Sequence, residues 1–123
     1  MSVNEIKAMV RRFVDEPWNK GNVNIIDELC SPKYTVRYGT ASKAAGGRDF
    51  IKKAIVNARA EEPDLKATVK EIIVEGNRVA FEWEMSGTDK QGKLKTNIGI
   101  TILKLRKGKI VEDHFLSGVV KPE

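Results

Sequence analysis

Gly76-Asn77-Arg78-Val79-Ala80-Phe81-Glu82-Trp83-Glu84-Met85-Ser86-Gly87-Thr88 opens on a turn signal and then alternates without a break. Val79, Phe81, Trp83 and Met85 fall on one side, and Ala80, Glu82, Glu84 and Ser86 on the other. A period of two carried by aromatic and β-branched residues is a strand with one buried face. A Val-Phe-Trp-Met face is too large to leave in water, so it requires a second layer, either another sheet or helices. Turning Phe81 and Trp83 inward buries more apolar area and strands no charge, so Glu82 and Glu84 are expected to face outward.

Working outward, the same pattern recurs. Thr68 to Glu75, Lys95 to Leu105 and Ile110 to about Val119 read as further strands. Gly76-Asn77, Asp89-Lys90-Gln91-Gly92 and Lys107-Gly108 join them as hairpin turns, because glycine and asparagine tolerate positive φ. Before Leu65 the period changes. Val3, Ile6, Met9, Val10, Phe13 and Val14 recur at three and four residues, an amphipathic helix with Ser2 or Asn4 as its cap and Pro17 as its stop. Trp18 to Asn22 makes a turn. A short helix over Val23 to Leu29 is closed by Cys30-Ser31-Pro32, and Tyr34 to Tyr38 alternates as a short strand. Gly39 to Gly47 is a small-residue loop, either a mobile connection or a lid. A third helix follows to about Ala60, with Phe50, Ile51, Ala54, Ile55 and Ala58 as its stripe. Three helices followed by a strand meander define an α+β layout.

The 123 residues are read as one domain, 1–123, large enough for its own core. No apolar run reaches the roughly 20 residues of a membrane span. The start of the chain lacks a signal-peptide pattern, so a cytoplasmic setting is expected. Cys30 is the single cysteine and His114 the single histidine. That excludes an intramolecular disulfide and leaves no ligand set for a metal, so neither a metal nor a cofactor is expected. The net charge of +5 raises the question of nucleic acid. However, the one dense basic run, Lys104 to Lys109, alternates with apolar residues and ends in a turn. It reads as a solvated hairpin tip, which points away from a nucleic-acid patch.

In order along the chain stand Trp18-Asn19-x-Gly21, Gly47 with Phe50 and Ile51, and Pro63-Asp64. Next come Gly76-x-x-Val79-Ala80-x-x-Trp83-x-x-Ser86-Gly87-Thr88 and Gly108-Lys109-Ile110-Val111-Glu112. This series resembles the SnoaL-like polyketide cyclases of the nuclear-transport-factor-like superfamily. The resemblance implies a cone: a curved antiparallel sheet wrapped around the three helices, with an apolar pocket at the open end. It also implies a homodimer through the outer face of the sheet, and a small apolar ligand.

Cyclases of that family close a ring by intramolecular aldol chemistry. A carboxylate removes a proton beside a carbonyl, in a pocket whose dryness raises its basicity. The resemblance places that aspartate on the last strand, at the position of Gly118 here, and a tryptophan at the position of His114. Without the aspartate, the proton-transfer role is expected of His114, supported by Glu112. Both share a face with Ile110 and Leu116 on an unbroken strand. The competing reading keeps His114 as a hydrogen-bonded packing residue. Asp113, on the opposite face, is expected at the surface. A bulge after Glu112 would exchange these faces. Trp18, Tyr34, Tyr38, Phe50, Phe81, Trp83 and Met85 are the expected ligand-lining residues. The chain lacks the first-strand carboxylate of the ketosteroid isomerase-like relatives and the Asp-Arg-Asp set of the epoxide hydrolases. Two readings therefore stay open: a cyclase- or isomerase-type enzyme, and a non-catalytic binding or dimerisation module.

Overall fold

The computed structural model describes residues 1–119. Its first helix, α1 (Val3–Val14), is started by Ser2 and Glu5 acting on each other. The Glu5 N–H donates to the Ser2 hydroxyl at 3.1 Å, and the Ser2 N–H donates to the Glu5 carboxylate at 2.8 Å. This satisfies two of the amides that a helix start leaves unpaired. Ile6, Met9, Val10, Phe13 and Val14 are buried as the spacing predicts, while Val3, at the head of the expected stripe, is exposed.

Pro17 does not stop the helical path as expected. The chain widens into a π-helical turn, Asp15–Asn19, that buries Pro17, and the wider turn accommodates a residue with no N–H to give. Asn19 then ties the turn to the sheet. Its amide donates to the Ala67 carbonyl at 2.8 Å and its carbonyl oxygen accepts from the Ala67 N–H at 2.7 Å. Arg59 donates to the Trp18 and Asn19 carbonyls at 2.8 and 2.9 Å. The Trp-Asn motif is therefore a clamp that fixes the position of Trp18.

Helix α2 is short (Ile25–Leu29), and strand β1 (Cys30–Tyr38) begins at Cys30 rather than Tyr34. Pro32 is tolerated there because β1 is an edge strand. Helix α3 spans Arg48–Glu61 and buries Ile51 and Ile55. Four long strands follow: β2 (Lys66–Glu75), β3 (Arg78–Thr88), β4 (Leu94–Arg106) and β5 (Lys109–Val119). Asp64 fastens the start of β2 to the end of β3 by accepting from the Thr88 N–H and hydroxyl, at 2.8 and 2.7 Å.

The sheet order is β1-β5-β4-β3-β2. The expected all-antiparallel sheet needs one correction, because β1 pairs with β5 in parallel. Helix α3 and three further strands lie between them in the chain, so no tight turn dictates their direction. The result is an α+β fold with an open, mixed five-stranded sheet and the helices packed on one face. The core lies between those layers, with Val10, Ile26, Val36, Ile55, Val79, Leu103 and Ile110 all fully buried.

Register explains the inner face row by row. Val79 opposes Leu103, which opposes Asp113, which opposes Val36. The next row is Phe81, Thr101, Phe115 and Tyr38, and the one after it Trp83, Gly99 and Ser117. Glu82 and Glu84 take the outer face, with Glu84 paired to Lys70. The basic run forms the β4–β5 hairpin tip, where Lys107 and Gly108 both adopt positive φ, 52° and 75°, as a tight hairpin requires.

Candidate functional site

A cavity of about 270 Å³ opens between the inner face of the sheet and helices α1 and α3. Five aromatic rings form much of its wall: Phe13, Trp18, Phe81, Trp83 and Phe115. Val14, Ile51, Ala58, Ala67 and Met85 supply the aliphatic remainder. Among the described residues, two lining side chains carry a polar group besides the indoles, Thr101 and Asp113.

Trp18, Phe81, Trp83 and Met85 thus line this cavity. Tyr38 and Phe50 stand behind it. The Tyr38 ring packs edge-on against Phe115 at 4.5 Å between centroids, and Phe50 lies 5.8 Å from Tyr38. Tyr34 is fully buried beneath the wall. Trp83 lies across β4 because Gly99 opposes it; a methyl group there would overlap the indole ring. In this pose the indole N–H donates to the Thr101 hydroxyl at 2.8 Å.

Asp113 was expected at the surface and is instead 5% exposed, facing the cavity. The cause is a bulge. Lys104 pairs with Glu112 while Leu105 pairs with Ile110, which leaves Val111 as an extra residue. Ile110 and Asp113 then share the inner face, although an unbroken strand would place them on opposite faces. The same bulge sends Glu112 and His114 outward. Glu112 is exposed and paired with Lys104 at 3.4 Å. One His114 ring nitrogen lies 2.7 Å from the Gly39 carbonyl and the other 3.2 Å from an Arg37 guanidinium nitrogen. A carbonyl only accepts and a guanidinium only donates, so Nε2 carries the proton and Nδ1 accepts. The structure therefore does not bring His114 and Glu112 into the cavity.

Tyr34 donates to Asp113 Oδ2 at 2.6 Å, while Oδ1 is buried and has no partner among the described residues. Burial pushes the Asp113 carboxyl up to about 6, against the opposing pull of the Tyr34 hydrogen bond and of neighbouring His114 when charged. Burial, followed by the charge of Asp113, drives the Tyr34 hydroxyl well above the usual tyrosine range, so it remains a donor. Cys30 offers no thiolate, since burial pushes its thiol up to about 12. Among the described residues no group of three or more His, Cys, Asp or Glu side chains is placed to hold a metal ion. No helix among them is long and apolar enough to cross a membrane.

Sequence reasoning missed the Tyr34–Asp113 pair because its expected faces follow from an unbroken β5; the bulge it allowed after Glu112 lies instead at Val111. One signal was available. Ile110 and Phe115 lie five positions apart, an odd offset, and turning both inward requires an extra residue between them.

With this fold and this cavity, the sequence profile of the SnoaL-like domain matches residues 10–113, and the chain belongs to that family. A protein from Acidithiobacillus ferrooxidans, provisionally designated a polyketide cyclase, superposes with a TM-score of 0.79 at 22% identity, over 95% of this chain and 91% of that one. TsrD from Streptomyces laurentii gives 0.82 at 18% identity, over 95% and 90%. IdmH from Streptomyces antibioticus, also provisionally designated a polyketide cyclase, gives 0.73 at 23% identity, over 85% and 86%. At these identities the likeness is one of fold. No curated protein matches the chain.

Proposed function

We propose that the cavity binds a small apolar molecule bearing a carbonyl, and that Asp113 exchanges a proton with it in cyclase- or isomerase-type chemistry. The observation that carries this reading is the free Oδ1 of a buried carboxyl facing an apolar cavity. A carboxyl held near 6 is largely ionised at neutral pH yet more basic than an ordinary carboxylate, the balance a general base needs. Tyr34 holds Oδ2, which leaves Oδ1 as the one carboxylate oxygen without a partner among the described residues. That oxygen can take a proton from the carbon beside a carbonyl, whose oxygen receives the electron pair. Returning the proton elsewhere is isomerisation, and attack of the carbanion on a second carbonyl is ring closure. In this reading the role expected of His114 and Glu112 falls to Asp113 and Tyr34.

The test is hydrogen–deuterium exchange at enolisable positions of carbonyl compounds, followed by proton NMR in D₂O. Wild type is expected to accelerate exchange and Asp113→Asn to abolish the acceleration. A non-catalytic binding module is favoured by one observation: at Gly118, where the family's aspartate is expected, the chain is exposed and nothing lies within 4 Å of an added Cβ. Binding of carbonyl compounds without any accelerated exchange decides for that second reading.

We also propose a homodimer through the outer face of the sheet. Ile98, Ile100 and Ile102 of β4, Leu116 of β5 and Ile73 of β2 are all exposed there. Ile100 directly opposes Leu116 across the β4–β5 pair, which makes a contiguous apolar stripe of the kind that marks an interface.

A further inference from the structure

The cavity presents an incomplete hydrogen-bond pattern that specifies its ligand, provided the proton-transfer reading above holds. Thr101 is 4% exposed, and its hydroxyl oxygen accepts from the Trp83 indole N–H. A hydroxyl has one hydrogen to donate, and among the described residues no acceptor takes it. Asp113 Oδ1 is the complement, a buried acceptor with no donor. Both groups line the same cavity. Thr101 opposes Phe115 on adjacent strands, and Asp113 lies two residues before Phe115. The two polar groups are therefore diagonal neighbours on one face, roughly 7 Å apart at the backbone. That span fits a carbonyl oxygen held by one group and the hydrogen of its adjacent carbon facing the other. Among the described residues no lysine or arginine lines the cavity, so an anionic ligand would meet a carboxylate with none of them to neutralise either charge. Size sets the last limit. A dry cavity of about 150 Å³ holds benzene, so about 270 Å³ fits two fused rings.

We infer that the ligand is an uncharged carbonyl compound of about two fused rings, and that Thr101 is the donor to its oxygen. The step balances within the site. The Asp113 carboxylate takes the proton from carbon, the C–H electron pair moves to the carbonyl oxygen, and the Thr101 O–H steadies the enolate. The indole N–H of Trp83 strengthens Thr101 as a donor by hydrogen-bonding to its oxygen. Thr101 thus becomes a catalytic residue that the sequence pattern does not single out.

The test uses 2-tetralone, an enolisable two-ring ketone, with 2-naphthoate as its anionic counterpart and anthrone as a three-ring ketone. Exchange at the tetralone carbon beside the carbonyl is followed by NMR for wild type, Thr101→Val, Thr101→Ser and Asp113→Asn, with a thermal melt to confirm that each is folded. Thr101→Val, which keeps the shape and loses the hydroxyl, is expected to slow exchange about 100-fold, the effect of removing one oxyanion donor. Thr101→Ser is expected to stay within about 3-fold of wild type, because the donor returns. 2-Tetralone is expected to bind at least about 10-fold more tightly than 2-naphthoate or anthrone. Exchange that depends on Asp113 but is unchanged in Thr101→Val overturns the Thr101 assignment. Equal or tighter binding of 2-naphthoate or anthrone overturns the ligand class. Absence of any Asp113-dependent exchange overturns the proton-transfer reading, and this inference with it.

Discussion

Asp113 and His114 are joined by one peptide bond and occupy opposite environments. Asp113 faces an apolar cavity from inside the sheet, holds one hydrogen bond, and keeps a second oxygen empty. His114 faces outward on the same strand and uses both ring nitrogens, one toward Gly39 and one toward Arg37. The group with the more familiar proton-transfer chemistry is the one already committed to structure. The group with an unpaired atom is the carboxylate. Alternation along the strand sets them on opposite faces, and the single extra residue at Val111 decides which of the two turns inward. In a sheet with two unlike faces, one inserted residue reassigns every role beyond it.

The strongest way to break this contrast is Asp113→Asn. Proton exchange should fall about 1000-fold, within the range that general-base catalysis supplies, and NMR exchange rates measure it. Next in size is Ile100→Lys on the outer face. A charge placed opposite Leu116 should convert a dimer to a monomer in sedimentation at micromolar concentration, while exchange per chain persists. A species whose mass does not change would remove the outer stripe as the interface.

The third effect concerns stability. The Asp113 carboxyl is raised in the folded state, from 3.8 to about 6. Between those values the folded protein holds more proton than the unfolded chain, so stability is greatest at the acid side of the window and is lost as pH rises through it. The loss amounts to about 3 kcal/mol at most, and urea titrations at pH 4.5 and 7.5 would show it superimposed on the titration of other groups. Asp113→Asn should flatten that decline and be the more stable protein at pH 7.5 by up to about 2 kcal/mol. A variant that loses function while gaining stability would mark Asp113 as a functional burden on the fold. The smallest effect is expected of His114→Ala: exchange within about 3-fold of wild type, with a lowered melting temperature from the lost contacts to Gly39 and Arg37. A collapse of exchange in that folded variant would reverse the contrast.

Much of the fold was legible in the sequence. The Val79–Met85 alternation gave the correct inner face, and Phe81, Trp83 and Met85 line the cavity as that face required. The helical stripe from Ile6 to Val14 is buried as its spacing demands. Two kinds of feature were not legible. The parallel pairing of β1 with β5 is a long-range choice, and nothing local to Tyr34–Tyr38 encodes it. The π-helical turn at Pro17 depends on the Asn19–Ala67 clamp, whose partners lie far apart along the chain. The faces of β5 were also not legible: a bulge changes register without leaving a glycine or proline to announce it, and Val111 is an ordinary strand residue. Thr101 was invisible because its significance lies in what Trp83 does to it from the next strand.

The two tryptophans of the chain, Trp18 and Trp83, both form part of the cavity wall. Indole emission responds to polarity and to hydrogen bonding at its nitrogen, and here no other tryptophan contributes background. Any molecule that enters must displace water or change packing against one of these rings. The intrinsic fluorescence of the protein is therefore a label-free report on occupancy. Trp18→Phe and Trp83→Phe would divide that signal between the clamped end of the cavity and the end where Thr101 stands.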